Sequence, residues 1–106
     1  MKDLQTLTER EFNTTETLQL LKASGSVFWS WGVSKIINYN NEGLLLKVQG
    51  HHHNGWVFIV LAWNDTYTVH YLNQRYNVKD SSSEIYFDML TEEIDRKVER
   101  IDNYKF

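Results

Sequence analysis

The sequence predicts an α+β fold: an antiparallel meander of four to five strands flanked by a short N-terminal helix and a long C-terminal helix. Three observations predict it. A capping signal opens a short apolar-sided segment near the N-terminus. The apolar period changes to two from Val27 onward, and a single helical stripe runs from Phe87 to Ile101.

Asn13-Thr14-Thr15-Glu16 has the form of a capping box, in which Asn13 caps and Glu16 reaches back. Leu18, Leu20 and Leu21 then give the helix its apolar side, and Gly25 is placed as its stop. The segment before it, with Leu4, Leu7 and Phe12, is either a further helical turn or a loose arm over residues 1–12.

"VFWSWG" is rich in aromatic strand formers and "KIINY" follows a kink at Gly32, so both are expected to be extended. "NNEG" carries the residues of a tight turn. In the next strand Leu44, Leu46 and Val48 alternate with Leu45, Lys47 and Gln49. "WVFIVLAW" and "TYTVHYL" are joined by Asn64-Asp65, which suits a two-residue hairpin, and "QRYNVK" adds a short edge strand.

The final helix places Phe87, Leu90, Ile94, Val98 and Ile101 on one stripe. Ser81 and Glu84 offer it a capping box, and Glu92 with Arg96 and Glu93 with Lys97 are oriented as stabilising helix pairs. No linker or repeat divides the chain, so residues 1–106 are expected to form a single domain.

A two-residue Asn64-Asp65 loop sets Trp63 opposite Thr66. One face then carries Trp56, Phe58, Val60 and Ala62 beside Tyr67, Val69 and Tyr71, and is expected to lie beneath the long helix. The other carries Val57, Ile59, Leu61 and Trp63 and needs a cover: the N-terminal helix, a second copy or a partner. Ile59, Leu61 and Trp63 are therefore candidate interface residues. Trp29 and Trp31, which share one face of a strand with Phe28 on the other, join them as candidate anchors.

Composition narrows the chemistry. There is no cysteine, which excludes disulfides, thiolate zinc sites and cysteine nucleophiles. The start lacks the apolar run of a signal peptide and Trp56 to Trp63 is too short to span a bilayer, so a cytoplasmic protein with no membrane role is expected. The formal net charge of -3 argues against nucleic acid as a partner. Charge is segregated, however, and Lys35, Lys47, Arg75 and Lys79 with nearby tyrosines are the candidate contacts for a single strand. The competing reading is a sheet edge guarded by lysines.

The stretch "GHHHNGW" supplies the metal question. His51, His53 and His70 are the candidate ligands, but no carboxylate or cysteine stands beside them in sequence. Gly50, Asn54 and Gly55 frame a hairpin connection, and the histidines read as its polar tip, open to titration near neutral pH. Asp88, Glu92, Asp95 and Glu99 lie along one helix side and read as its solvated face. No phosphate loop, HExxH or nucleophile elbow is present, so no cofactor and no catalytic residue is assigned.

The order of "FWSWG", "NNEGLLLKVQGH", "GWVFIVL", "NDTYTVHYLN" and "YFDML" resembles small α+β proteins of bacteria (Bacteroides-type), phages and mobile elements. The resemblance implies a compact accessory module and carries no activity or catalytic residues. The expected function is a non-enzymatic protein-interaction module, self-association included, that uses an apolar sheet face or the acidic helix. The alternatives are a nucleic-acid-binding sheet and a metal-dependent enzyme.

Overall fold

A computed structural model describes residues 2–99. Five strands form one sheet in the order β1-β2-β3-β4-β5: β1 (Lys35–Tyr39), β2 (Gly43–Gln49), β3 (Asn54–Leu61), β4 (Tyr67–Leu72) and β5 (Val78–Ile85). Every neighbouring pair is antiparallel, which is the meander that the strand periodicity predicts. Three helices, α1 (Thr14–Lys22), α2 (Ser26–Ser30) and α3 (Leu90–Val98), cover one face, so the α+β class holds. No helix among the described residues is long and apolar enough to cross a membrane.

α1 starts where its cap predicts. The Asn13 side-chain oxygen accepts from the Glu16 N–H at 3.1 Å, satisfying one of the orphan donors of the first turn. Leu21 is fully buried, and Thr17 Oγ1 lies 2.9 Å from the Tyr67 hydroxyl, joining α1 to β4. Past Lys22 the chain turns through Gly25, whose φ of 67° is a conformation glycine adopts without strain.

The extended reading of "VFWSWG" is overturned: Ser26–Ser30 is α2. The Ser24 hydroxyl accepts from the Phe28 N–H at 3.2 Å, standing in for a helical partner the new turn lacks. Phe28 and Trp31, three residues apart, then face inward together with no exposure, whereas Trp29 points outward under the Lys22 ammonium. Burying two large aromatic rings on one side outweighs their strand propensity. Gly32 follows at φ 67°, and a Cβ there would stand 2.7 Å from the Gln49 carbonyl oxygen. That close approach lets the Gln49 N–H donate to the Trp31 carbonyl at 2.9 Å.

The β3–β4 hairpin is slipped by one residue from the expected pairing. Leu61 pairs with Tyr67, and the Ala62 N–H donates to the Thr66 carbonyl, so Trp63, Asn64 and Asp65 form the loop. Asp65 takes φ 67°, and the Asn64 side chain accepts from the Thr66 N–H and hydroxyl. Left-handed Asp and an Asx turn thus close a longer loop than the dipeptide suggests.

A one-residue slip exchanges the partners on each face. Val57 and Ile59 join Val69 and Tyr71 in the core beneath the helices, with Leu44, Leu46, Leu90, Ile94 and Val98. Trp56, Phe58 and Val60 join Leu45 and Leu72 on the opposite face, which is not the face beneath α3. That second face is closed from within the chain. Lys2–Leu7 forms a 3-10 turn and inserts Leu4, with no exposure, among these residues. Of the two readings of the N-terminal segment, the helical turn is the one adopted.

The second half of the sequence signal for the long helix belongs to a strand. Ser81 pairs with His70 and Glu84 sits at φ 55° in β5, beside an irregularity between Tyr67 and Val69. Neither caps α3, which begins at Leu90 after a 3-10 turn, Phe87–Met89. Phe87 is exposed and leaves the stripe, while Leu90, Ile94 and Val98 keep it; Ile101 lies outside the described residues. Each of these three buried side chains contributes about 1.5–3 kcal/mol relative to exposure. Among the described residues the ion pairs of α3 are Glu93–Arg96 at 2.7 Å and Lys97–Asp80 at 2.5 Å rather than the predicted helix pairs, and the second ties α3 to β5.

Candidate functional site

The histidine stretch is a hairpin connection between β2 and β3, as its glycines predict: Gln49 pairs with Asn54, and the Gly50 N–H donates to the His53 carbonyl at 2.9 Å. It does more than turn the chain. The His52 N–H donates to the Val98 carbonyl at 2.7 Å, and the His51 N–H donates to the Glu99 carboxylate at 2.7 Å. The connection therefore supplies donors to the C-terminal end of α3, where carbonyls lack helical partners. Gly50 permits the approach, since a Cβ there would stand 2.4 Å from Val98 Cγ1 and 2.6 Å from the Val98 carbonyl oxygen.

The three candidate metal ligands are not brought together. His53 lies edge-on to Tyr71, on the helix-covered side, with its Nε2 3.0 Å from the Trp56 carbonyl oxygen. His70, the neighbour of Tyr71 on β4, projects to the other side, pairs with Phe58 and holds the Ser81 hydroxyl at 2.8 Å. Among the described residues no group of three or more histidine, aspartate or glutamate side chains is placed to hold a metal ion. Burial pushes the His70 imidazole below its ordinary range, with the Glu9 charge opposing.

The candidate interface residues separate as well. Trp31 and Ile59 are fully buried beneath the helices, and Leu61 is half-buried, so this face is not an open apolar surface. Trp29 and Trp63 are both exposed, one on α2 and the other in the β3–β4 loop. At the Trp63 end the register brings β5 to its close: Tyr67 pairs with Ile85, and Tyr86, Phe87 and Met89 follow with their side chains exposed. The sequence reading missed these three because it placed Phe87 on a buried helical stripe.

The four candidate cations also divide. Lys35 and Lys47 are cross-strand partners beside Trp56, with the Lys47 ammonium 5.2 Å from the indole centroid. That indole is only 3% exposed and stacks on Tyr76, so it offers no face to a base. Arg75 lies in the β4–β5 turn. Lys79 lies elsewhere, in a cleft of about 360 Å³ together with His52, His53, Asn54, Tyr71, Asn73, Gln74, Asp80 and Lys97.

This cleft is where the hairpins meet. The pairing of Trp56 with Leu72 sets Asn54 opposite Gln74, and Gln74 Nε2 donates to Asn54 Oδ1 at 3.0 Å. Asn73 Oδ1 accepts from the Arg75 and Asn77 N–H groups at 2.8 and 3.0 Å, fixing the turn and its own amide orientation. Tyr71 is 2% exposed, and its hydroxyl has no hydrogen-bond partner. Burial and the Glu93 carboxylate push that phenol far above its ordinary range; the contact with the Ser82 hydroxyl, which is itself donated to Glu93, acts the other way.

The helix acids are less idle than a solvated face. Asp95 accepts from the Trp31 indole and Glu99 from the histidine loop. The Lys97 hydrogen bond holds the Asp80 carboxyl below its ordinary range. At Glu93 burial acts upward, but hydrogen bonds from Arg96 and Ser82 outweigh it and the net shift is downward.

No protein-family model matches the chain, and no curated protein or solved structure matches it.

Proposed function

We propose that this chain is a non-enzymatic, cytoplasmic interaction module that takes a protein partner, a second copy of itself included. One observation carries the reading: Trp63, Tyr86, Phe87 and Met89 are 72, 61, 67 and 52% exposed at one end of the sheet. Burying large aromatic side chains in a partner is the commonest source of binding energy at protein interfaces. Three such residues and Met89, exposed at one end of a small domain with only the Arg10 guanidinium set over Trp63, cost hydration unless something covers them.

The surface differs from the one the sequence points to. Both sheet faces are occupied by the chain's own helices and 3-10 turn, and Glu93 and Asp95 of α3, with Glu99 just past its end, are engaged internally. Large exposed side chains cluster at the end formed by the β3–β4 loop and the β5–α3 junction. An accessory role in a mobile element fits such a module and rests on the sequence resemblance alone.

The test pairs the native chain with a Trp63→Ala/Phe87→Ala double variant. Light scattering over a concentration series reports self-association, and affinity purification from the native host reports a partner. Loss of either association in the variant, with its melting temperature unchanged, is the expected result. A strictly monomeric native chain that captures nothing, or a variant that associates as well as the native chain, overturns the reading.

A further inference from the structure

We propose that the cleft between the histidine hairpin, the β4–β5 turn and α3 binds a small molecule through a phosphate or carboxylate group. The cleft lies at the Gln49–Asn54 end of the sheet, away from Trp63 and Phe87, so it is independent of the interaction surface.

The lining presents donors and almost no open acceptor of full charge. Lys79 has no ion-pair partner among the described residues and supplies a cation at the rim. Asn54 and Asn73 both spend their side-chain oxygens on protein donors, Gln74 Nε2 for one and two backbone N–H groups for the other. Each carboxamide nitrogen then keeps its donors for an occupant. The one carboxylate, Asp80, is neutralised by Lys97 at 2.5 Å.

Tyr71 adds a separate observation. A hydroxyl in a residue 2% exposed, with no partner, is a group that native structures rarely leave unsatisfied. Tyr71 belongs to the cleft lining, and its phenol stays neutral, because burial and Glu93 disfavour its ionisation. A cluster of one ammonium without an ion-pair partner and two carboxamide NH₂ groups, beside a neutral phenol, matches an oxyanion with several acceptor oxygens. The volume, about 360 Å³, stands at the small end of ligand sites, which limits the occupant to a small metabolite.

The experiment is an amide-resolved NMR titration of the full chain with sodium phosphate and with sodium acetate, against sodium chloride at equal ionic strength. Saturable shifts confined to His52–Asn54 and Asn73–Asp80 are expected with one of the two oxyanions and not with chloride. Which oxyanion saturates first separates a phosphate from a carboxylate ligand. Lys79→Gln is expected to weaken binding about tenfold, the effect of one charge-assisted hydrogen bond. Tyr71→Phe is expected to weaken it by a smaller factor, and an unchanged spectrum outside the cleft shows that either variant is folded. Shifts that follow ionic strength alone, or binding that Lys79→Gln leaves intact, overturn the proposal. Neither result bears on association through Trp63 and Phe87.

Discussion

The Trp31 indole N–H donates to the Asp95 carboxylate at 3.0 Å, and through that bond α2 is fastened to α3. Trp31 has no exposure, so its donor has no water to turn to if the carboxylate is removed. An orphaned buried donor costs about 1–3 kcal/mol. Asp95→Ala is therefore expected to lower the unfolding free energy by about that amount in urea titration. Asp95→Asn keeps an acceptor oxygen and is expected to lose less than half as much. Equal losses in the two variants would show that the bond contributes nothing specific.

Gly50 joins the histidine hairpin to the same helix. Its missing Cβ is the space occupied by Val98, whose carbonyl also accepts the His52 N–H. Gly50→Ala is expected to cost about 1–3 kcal/mol, the range for overpacking a fitted contact. Hydrogen exchange at the His52 amide is the direct readout and is expected to accelerate. A variant with unchanged stability and His52 protection would mean that the loop accommodates the methyl by moving, and that docking on α3 is loose.

What could be read from the sequence depended on whether the local signal and the tertiary structure agreed. At Asn13 and in the alternation of Leu44 to Gln49 they do, because capping and sheet burial are both local in chain order. At Phe28 and Trp31 they conflict, and packing against Asp95 and α3, distant in sequence, decides for helix. At Ser81 to Glu84 the strand is an exposed edge with no apolar alternation, so a polar run that resembles a helix cap conceals it. The single-residue slip at Asn64 has the widest effect, because it exchanges the faces of β3 relative to β4.

The same slip hid the cleft. Lys79 and His53 are each legible as chemistry-bearing residues, one as a cation and one as a metal ligand. Only the observed register sets Asn54 opposite Gln74 and brings Tyr71, rather than His70, to the side of His53. With that register the sequence would have shown a donor-rich end of the sheet, because asparagine at 54 and 73 and lysine at 79 fall together. The orphan hydroxyl of Tyr71 has no sequence signal, since it depends on Ser82 being committed to Glu93.

Leu4 offers the third prediction. It is buried with Leu45, Trp56, Phe58, Val60 and Leu72 in the cluster on the side of the sheet that the helices leave uncovered. Leu4→Ala is expected to cost about 2–3 kcal/mol, at the lower end for such truncations because a terminal turn relaxes more easily than a helix interior. The midpoint of urea unfolding reports it. A neutral substitution would instead class the N-terminal segment as a loosely held arm, with the second sheet face open to a partner.

His70 sets the pH dependence that can be assigned to one group. Its pKa is lowered in the folded chain because burial disfavours the imidazolium, and Glu9 only partly offsets this. The unfolded chain therefore binds a proton at higher pH than the folded chain does. Stability from this group is present above the unfolded value, about 6.5, and is lost as pH falls through the folded value. Its half-buried ring holds Ser81 from β5, so protonation also changes the hydrogen bond that ties the edge strand to β4. The native chain is expected to melt at lower temperature at pH 5 than at pH 7.5. His70→Gln, which keeps a hydrogen-bonding side chain without the titration, is expected to show a smaller difference between the two. The comparison subtracts His51, His52 and His53, which both proteins carry. Parallel melting curves for the native chain and the variant would show that His70 is equally easy to protonate in both states, and that its burial carries no linkage.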